Sequence, residues 1–375
     1  MAPSPVVRRR AGAVALAAAA VALVWLLLSG GGESPSEPEF VPPPRTTTPA
    51  PAEETPQPGE EADRELVEGV MLVGVEGADP GPILEELGGH DYGGVLIQTP
   101  NWQGKGPGAK LIEAIRKEGG ALVATDQEGG VYRSLPDLPP DEREIEIGDR
   151  GKPELAEEWG ESGAKALAGV GIGLNLAPIA DVATLDSAIA DRAFSDDPAV
   201  AADMTAAAIE GCEKAEVDCA VAHFPGLGAT SQATDAGPAS IGLDPATLEA
   251  RDLLPFRAAF DAGAPAVVVS HGLYAAFDPV TPASLSPEIT TKLLRDDLGF
   301  EGVAISDDIG AGAISAVSDP GAAAVAALNA GIDLVQVANP ADVDPVRNAL
   351  EAAVSSGELS AERLEEAAER VADLG

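Results

Sequence analysis

Carboxylates and imidazoles in this chain fall where apolar runs stop. In Gly302-Val303-Ala304-Ile305-Ser306-Asp307-Asp308 a short apolar stretch gives way to two adjacent aspartates. A buried strand that ends this way brings a carboxylate to the edge of a core, where it can act as a nucleophile or carry a proton. The plainer role is to cap the next helix, and either aspartate could fill it. The same change of character recurs along the chain. Asp126, Gln127 and Glu128 follow the run from Ala121, Asp181 lies just past Gly173 to Ile179, and His223 sits late in Cys219 to Phe224. Ser270 and His271 close the run from Ala266, and Asn339 follows Leu334 to Ala338. One polar end means little, whereas several on a shared rim describe a pocket.

Those ends belong to eight strand-like runs, the first two being Val70 to Val75 and Gly94 to Thr99. Helical patterns separate them. Asp319-Pro320 opens one helix with an N-cap and a proline at the first helical position, and Gly331 closes it. Ser360 is placed to cap a last helix running towards Asp373. Eight such alternations within about 310 residues predict an α/β chain folded as a (β/α)8 TIM-like barrel rather than a doubly wound sheet. No phosphate-binding glycine fingerprint follows any strand, which counts against nucleotide binding. In a barrel of this kind the chemistry gathers at the carboxyl-terminal rim of the strands.

The chain has 375 residues, 45% of them hydrophobic, which is enough for a large core. Its 62 acidic residues against 23 basic ones leave a net charge of −39, which disfavours nucleic acid and anionic membrane surfaces as partners. Two cysteines, Cys212 and Cys219, are not a disulfide framework, and the sequence leaves open whether they pair. With three histidines lacking ligand spacing, no metal site is expected. Nothing fixes an oligomeric state, and a monomer is the default expectation.

Arg8, Arg9 and Arg10 precede an uncharged run from Ala11 to Leu28. This is the layout of a signal peptide or membrane anchor, with the bulk of the chain outside the cytoplasm. Residues 30–63 are rich in Pro, Glu, Ser and Thr and read as a disordered linker. The expected organisation is therefore 1–29 signal or anchor, 30–63 linker and 64–375 barrel, with membrane contact through the N-terminal segment only.

From about Val67 onward the sequence resembles glycoside hydrolase family 3, in its single-barrel β-N-acetylglucosaminidase form. Asp126-Gln127-Glu128-Gly129-Gly130 matches the family's D-Q-E-G-G turn, and Leu176-Ala177-Pro178-Ile179-Ala180-Asp181-Val182 its L-A-P-x-x-D-V strand end. Asp191-Arg192-Ala193-Phe194-Ser195-Asp196-Asp197-Pro198 matches D-R-x-F-x-x-D-P, and His223-Phe224-Pro225-Gly226 matches the core of K-H-F-P-G-H-G. Val269-Ser270-His271, Pro282-Ala283-Ser284-Leu285-Ser286 and Ser306-Asp307 follow in the family's order. The resemblance implies hydrolysis of O-glycosidic bonds with retention, with cell-wall or other β-linked sugars as substrates and no cofactor. It implies that Asp307 is the nucleophile, attacking the anomeric carbon to form a covalent glycosyl-enzyme. It further implies that Asp126, Arg192, His223 and His271 hold the sugar, a task suited to carboxylate acceptors and guanidinium donors.

The chain departs from the pattern where protons should move. Ala222 stands for the family's lysine and Leu227 for its second histidine. The loop that usually carries an Asp-x-His acid/base pair reads Ala229-Thr230-Ser231-Gln232-Ala233-Thr234-Asp235, so that Ala233 and Asp235 occupy those two positions. The usual arginine after Gly130 is missing or displaced to Arg133. Three readings compete. Asp235 is the general acid, protonated through desolvation; or the chain is an impaired homologue that binds carbohydrate without efficient turnover; or another group, such as Glu128, supplies the acid.

Overall fold

The computed structural model describes residues 58–119 and 122–374. The expected signal or anchor segment lies outside the described residues, as does most of the linker. Among the described residues no helix is long and apolar enough to cross a membrane.

Eight parallel strands form the centre: β1 (Met71–Gly74), β2 (Gly94–Ile97), β3 (Leu122–Thr125), β4 (Leu174–Asn175), β5 (Asp218–Phe224), β6 (Ala266–Val269), β7 (Val303–Ser306) and β8 (Val335–Val337). Each pairs with its neighbours in sequence, and β1 also pairs with β8, Met71 lying opposite Val335. The ring closes where Ile305 of β7 bridges Leu334 and the Ser306 amide donates to the Leu334 carbonyl at 2.9 Å. Every residue of β1, β2, β6 and β7 is buried. That is the expectation for parallel strands covered by helices outside and side chains inside. The barrel predicted from the alternation is therefore the observed fold, with helices around it.

The helices start as the sequence dictates. Asp79, Asp197, Asp244, Asp319 and Asn339 each precede a proline, and each accepts a hydrogen bond from a first-turn amide through its side chain. Such a cap contributes about 1 kcal/mol, and on the four aspartates the negative charge also suits the positive end of the helix dipole. The helix opened by Asp319 spans Pro320–Ala330 and stops at Gly331, whose φ of 116° only glycine adopts without strain. Ser360 caps the last helix, Ala361–Val371. Part of the acidic surplus is thus structural. Helix Pro198–Glu213 ends beside β5, and a Cys212–Cys219 disulfide joins the two, with Cα atoms 6.2 Å apart.

At the amino-terminal end of the strands, the floor of the barrel, Asp333 is fully buried. Arg295, Arg363 and Arg370 donate to it at 2.5, 2.9 and 3.1 Å, and the Ala304 amide does so at 3.0 Å. Arg295 and Arg363 also reach backbone carbonyls around β7 and β8. The cluster ties the last two strands to the helices beneath them.

Candidate active site

The Asp307-Asp308 pair divides its labour. Asp308 accepts from the Gly310 and Ala338 amides at 3.2 and 3.0 Å, stitching the end of β7 to the end of β8. Its carbonyl accepts from His271 Nε2 at 2.8 Å, and His271 Nδ1 meets the Ser284 hydroxyl at 2.7 Å. A carbonyl only accepts, so Nε2 carries the proton. His271 is fully buried with both nitrogens engaged. It braces the corner, and the sugar contact expected of it from the sequence has no free nitrogen to make it. Asp307, held by its amide to the Val269 carbonyl at 3.0 Å, is half-buried, and one of its oxygens accepts from the Asp308 amide at 2.9 Å.

Next to this corner a cleft of about 380 Å³ opens, lined among others by Asp126, Glu128, Tyr132, Arg133, Arg192 and Asp235. The loop after β3 folds back as a two-stranded hairpin, Gln127–Gly129 with Tyr132–Arg133. It presents Glu128 to Arg192 in a two-pronged pair at 2.8 and 2.6 Å. Tyr132 lies under the Arg192 guanidinium, 5.9 Å from ring centroid to Cζ, and donates to Asp191 at 2.5 Å. Arg192 therefore pairs across loops with Glu128, while Asp197 caps a helix. Burial alone would weaken the Arg192 guanidinium as a base, but the Glu128 and Asp126 charges outweigh it and hold the group firmly protonated.

Asp126 ends β3 with one carboxylate oxygen buried and without a hydrogen-bond partner. Burial, then the charge of Glu128, push its carboxyl well above the usual range, and Arg192 only partly opposes them. The residue lines the cleft, but its unpartnered oxygen is shut away from it.

His223, near the end of β5, is oriented by Asp181, which accepts from Nδ1 at 2.8 Å and from the His223 amide at 3.3 Å. Nε2 faces Arg192 Nη2 at 3.5 Å. Burial lowers the imidazole's basicity, but the Asp181 hydrogen bond and charge, with Asp307 adding, raise its pKa overall.

The degenerate loop brings Asp235 to the same cleft. Desolvation at the cleft and the negative charge of Asp307 raise its carboxyl above the ordinary value, although the residue as a whole is exposed. The loop is pinned from behind: the Gly312 amide donates to the Asp235 carbonyl at 3.0 Å and the Ala313 amide to the Thr234 carbonyl at 2.9 Å. A Cβ on Gly312 would stand 2.6 Å from the Asp235 carbonyl oxygen, so glycine permits this approach. Among the described residues no group of His, Cys, Asp and Glu is arranged to hold a metal ion.

The sequence profile of the glycosyl hydrolase family 3 N-terminal domain matches residues 69–374. The chain belongs to glycosyl hydrolase family 3. A β-hexosaminidase of Stenotrophomonas maltophilia is 34% identical over 296 residues, covering 75% of this chain and 87% of the relative. In structure the chain is similar to a family 3 β-N-acetylglucosaminidase of Paenibacillus sp., with a TM-score of 0.80 and 28% identity over 82% of this chain. It spans only 61% of that protein. A β-N-acetylhexosaminidase of Beutenbergia cavernae gives a TM-score of 0.75 and 29% identity, covering 83% of this chain and 97% of that one. The chain is thus a glycoside hydrolase on a nearly closed eight-stranded barrel.

In this family 3 hydrolase the cleft brings together Asp126, Arg192 and Asp235, with His223 and Asp307 close behind. His271 is set apart as a brace. Glu128, raised from the sequence as another source of the acid, has both oxygens engaged by Arg192. Arg133 lines the cleft too, held by the Gly130 and Leu138 carbonyls and by Asp141. One buried carboxyl was not foreseen. Glu144 accepts from the Ile179 amide at 2.9 and 3.2 Å, and burial drives it well above the usual range against that hydrogen bond. Nothing in the run Glu142-Arg143-Glu144 distinguishes it from a solvated charge cluster.

Proposed function

We propose that the chain is a retaining β-hexosaminidase in which Asp307 attacks the anomeric carbon and Asp235 moves the proton. In the first step an Asp307 oxygen bonds to C1 while the C1–O bond breaks, and the departing oxygen takes the Asp235 proton. In the second, Asp235 removes a proton from water as that water displaces Asp307, returning both carboxyls to their starting states. The observation that carries this reading is Asp235 lining the cleft beside Asp126 and Arg192, with its carboxyl raised first by desolvation and then by the negative charge of Asp307. One carboxyl must be an anion and the other an acid, and desolvation, then the Asp307 charge, pushes Asp235 in that direction. Arg192, held by Glu128, and His223, held by Asp181, would orient the ring, and Asp126 would accept from its donors. Aryl β-glycosides of N-acetylglucosamine and of glucose test it, with Asp307→Asn as control. Hydrolysis that survives the substitution removes Asp307 from the role.

The site is proposed to work outside the cytoplasm, on cell-wall or related β-linked glycans. Support comes from Arg8 to Arg10 before an apolar run and from the Cys212–Cys219 disulfide, a bond that persists in oxidising compartments. Protease added to intact cells should then remove the barrel, and full protection would sink the assignment.

A further inference from the structure

We propose that Glu144 is a positioning residue, whose buried carboxyl fixes the chain beyond β4 so that Asp181 holds the His223 imidazole towards Arg192. Its consequence for turnover rests on the sugar-hydrolase reading of the site.

The barrel leaves one amide there without a strand to bond it. Beyond β4 the chain runs beside β5, with Ile179 bridging Ala222. The Ala222 amide donates to the Pro178 carbonyl at 3.0 Å, and the Ala180 amide donates to the Ala222 carbonyl at 2.6 Å. In a parallel ladder the residue between two such bonds turns its own N–H to the opposite side. That side belongs to β3, whose pairing with β4 stops at Thr125 opposite Asn175. The Ile179 amide lies past that end, and a buried N–H needs an acceptor. Glu144 supplies it, with oxygens 2.9 and 3.2 Å away and none of its own surface exposed. Two residues further on, Asp181 accepts from the His223 amide, from His223 Nδ1 and from the Leu227 amide. A shift at Ile179 would therefore pass to both ends of the turn that carries His223.

A second set of contacts leads from the same short helix, Glu144–Gly148, to the loop of Arg192. Arg143, just before it, pairs with Asp191 at 3.6 Å. A Cβ on Gly148 would stand 1.7 Å from the Phe194 carbonyl oxygen, so glycine lets the two backbones meet. Arg192 lies between those contacts and faces His223 Nε2 at 3.5 Å. One segment thus backs both groups proposed to orient the sugar ring. Burial drives the Glu144 carboxyl well above the usual range, and the neutral acid still offers its carbonyl oxygen to the Ile179 amide. Glutamine offers the same atom, whereas methionine fills the space without an acceptor.

The chain has three histidines, His90, His223 and His271, so imidazole 15N spectra of the full chain can follow each. Glu144→Met should move the His223 signals and leave the other two in place. Its kcat/KM on an aryl N-acetyl-β-glucosaminide should fall about 10- to 100-fold, the scale of a misplaced orienting group. Glu144→Gln should restore the signals and most of the activity. Glu144→Asp, too short to reach Ile179, takes the place of the methionine variant should that one fail to fold. Unmoved His223 signals or an unchanged kcat/KM in the folded variant overturns the proposal, and so does a glutamine variant as impaired as methionine. Signals of all three histidines moving together would mark a general loosening of the fold and overturn it as well. Should the unmodified chain hydrolyse neither aryl glycoside, the hydrolase reading falls, and the His223 spectra alone decide the role of Glu144.

Discussion

The two ends of the barrel treat aspartate in opposite ways. At the floor Asp333 meets three guanidiniums and a backbone amide, with none of its surface exposed. At the mouth Asp126, Asp235 and Asp307 have no ion pair among the described residues. An enclosed anion stripped of partners costs several kcal/mol, so the floor can hold its aspartate only because the arginines come with it. The mouth tolerates its imbalance by other means. Asp235 is exposed and Asp307 half-buried, while burial drives Asp126 towards its neutral acid. The contrast teaches that strand closure and chemistry draw on separate sets of charges, so each can be altered with little effect on the other.

The contrast breaks most visibly at Asp307. Asp307→Asn should lower kcat on an aryl β-hexosaminide by about 10,000-fold, the scale of losing a nucleophile, with little change in thermal stability. Asp333→Asn should do the reverse, costing about 3–5 kcal/mol in denaturant unfolding while the folded fraction keeps its kcat. A stable but inactive Asp333 variant would mean that the two ends are coupled. Asp235→Ala sharpens the mouth itself. Glycosides with alkyl leaving groups should slow about 100-fold, while aryl ones, which leave without a proton, should slow much less. Equal losses on both would take the proton from Asp235.

The smallest effect concerns Asp252, which is fully buried beneath Gly226 and bonded at 3.0 Å by Arg251 through both its oxygens. Burial first, then Asp181, raise its carboxyl from 3.8 to about 7 against the pull of Arg251. The fold favours the protonated form, so this contribution is complete below the ordinary carboxyl pKa and is lost as pH rises through about 7. Asp252→Asn should flatten the stability decline between pH 4.5 and 8 by on the order of 1–3 kcal/mol. Unfolding curves with the same pH slope in both proteins would show that Asp252 does not titrate there.

Much of the fold was legible because its signals are local. The eight apolar runs end in polar residues, Asp-Pro pairs start helices, and Gly331 closes one. Asp126, His223 and Asp307 also gathered at one end, since strand order alone puts them there, whereas Arg192, in a loop well past β4, was read only from the family motif. What could not be read depends on contacts between distant segments. Glu128 and Arg192 are 64 residues apart in sequence and Asp181 and His223 are 42 apart. Nothing near His271 in sequence announces that Ser284 and the Asp308 carbonyl will occupy both of its nitrogens. The division between Asp307 and Asp308 was equally hidden, because adjacent identical residues differ only in which neighbouring amides they meet.

Two backbone bonds fasten Gly312 and Ala313 to the loop carrying Asp235, and they bear on what substitution there can change. They hold the main chain at a set spacing from the β7 corner whatever side chain projects from position 233 or 235. Because both bonds run between backbone atoms, they can form with any residue at position 234 or 235.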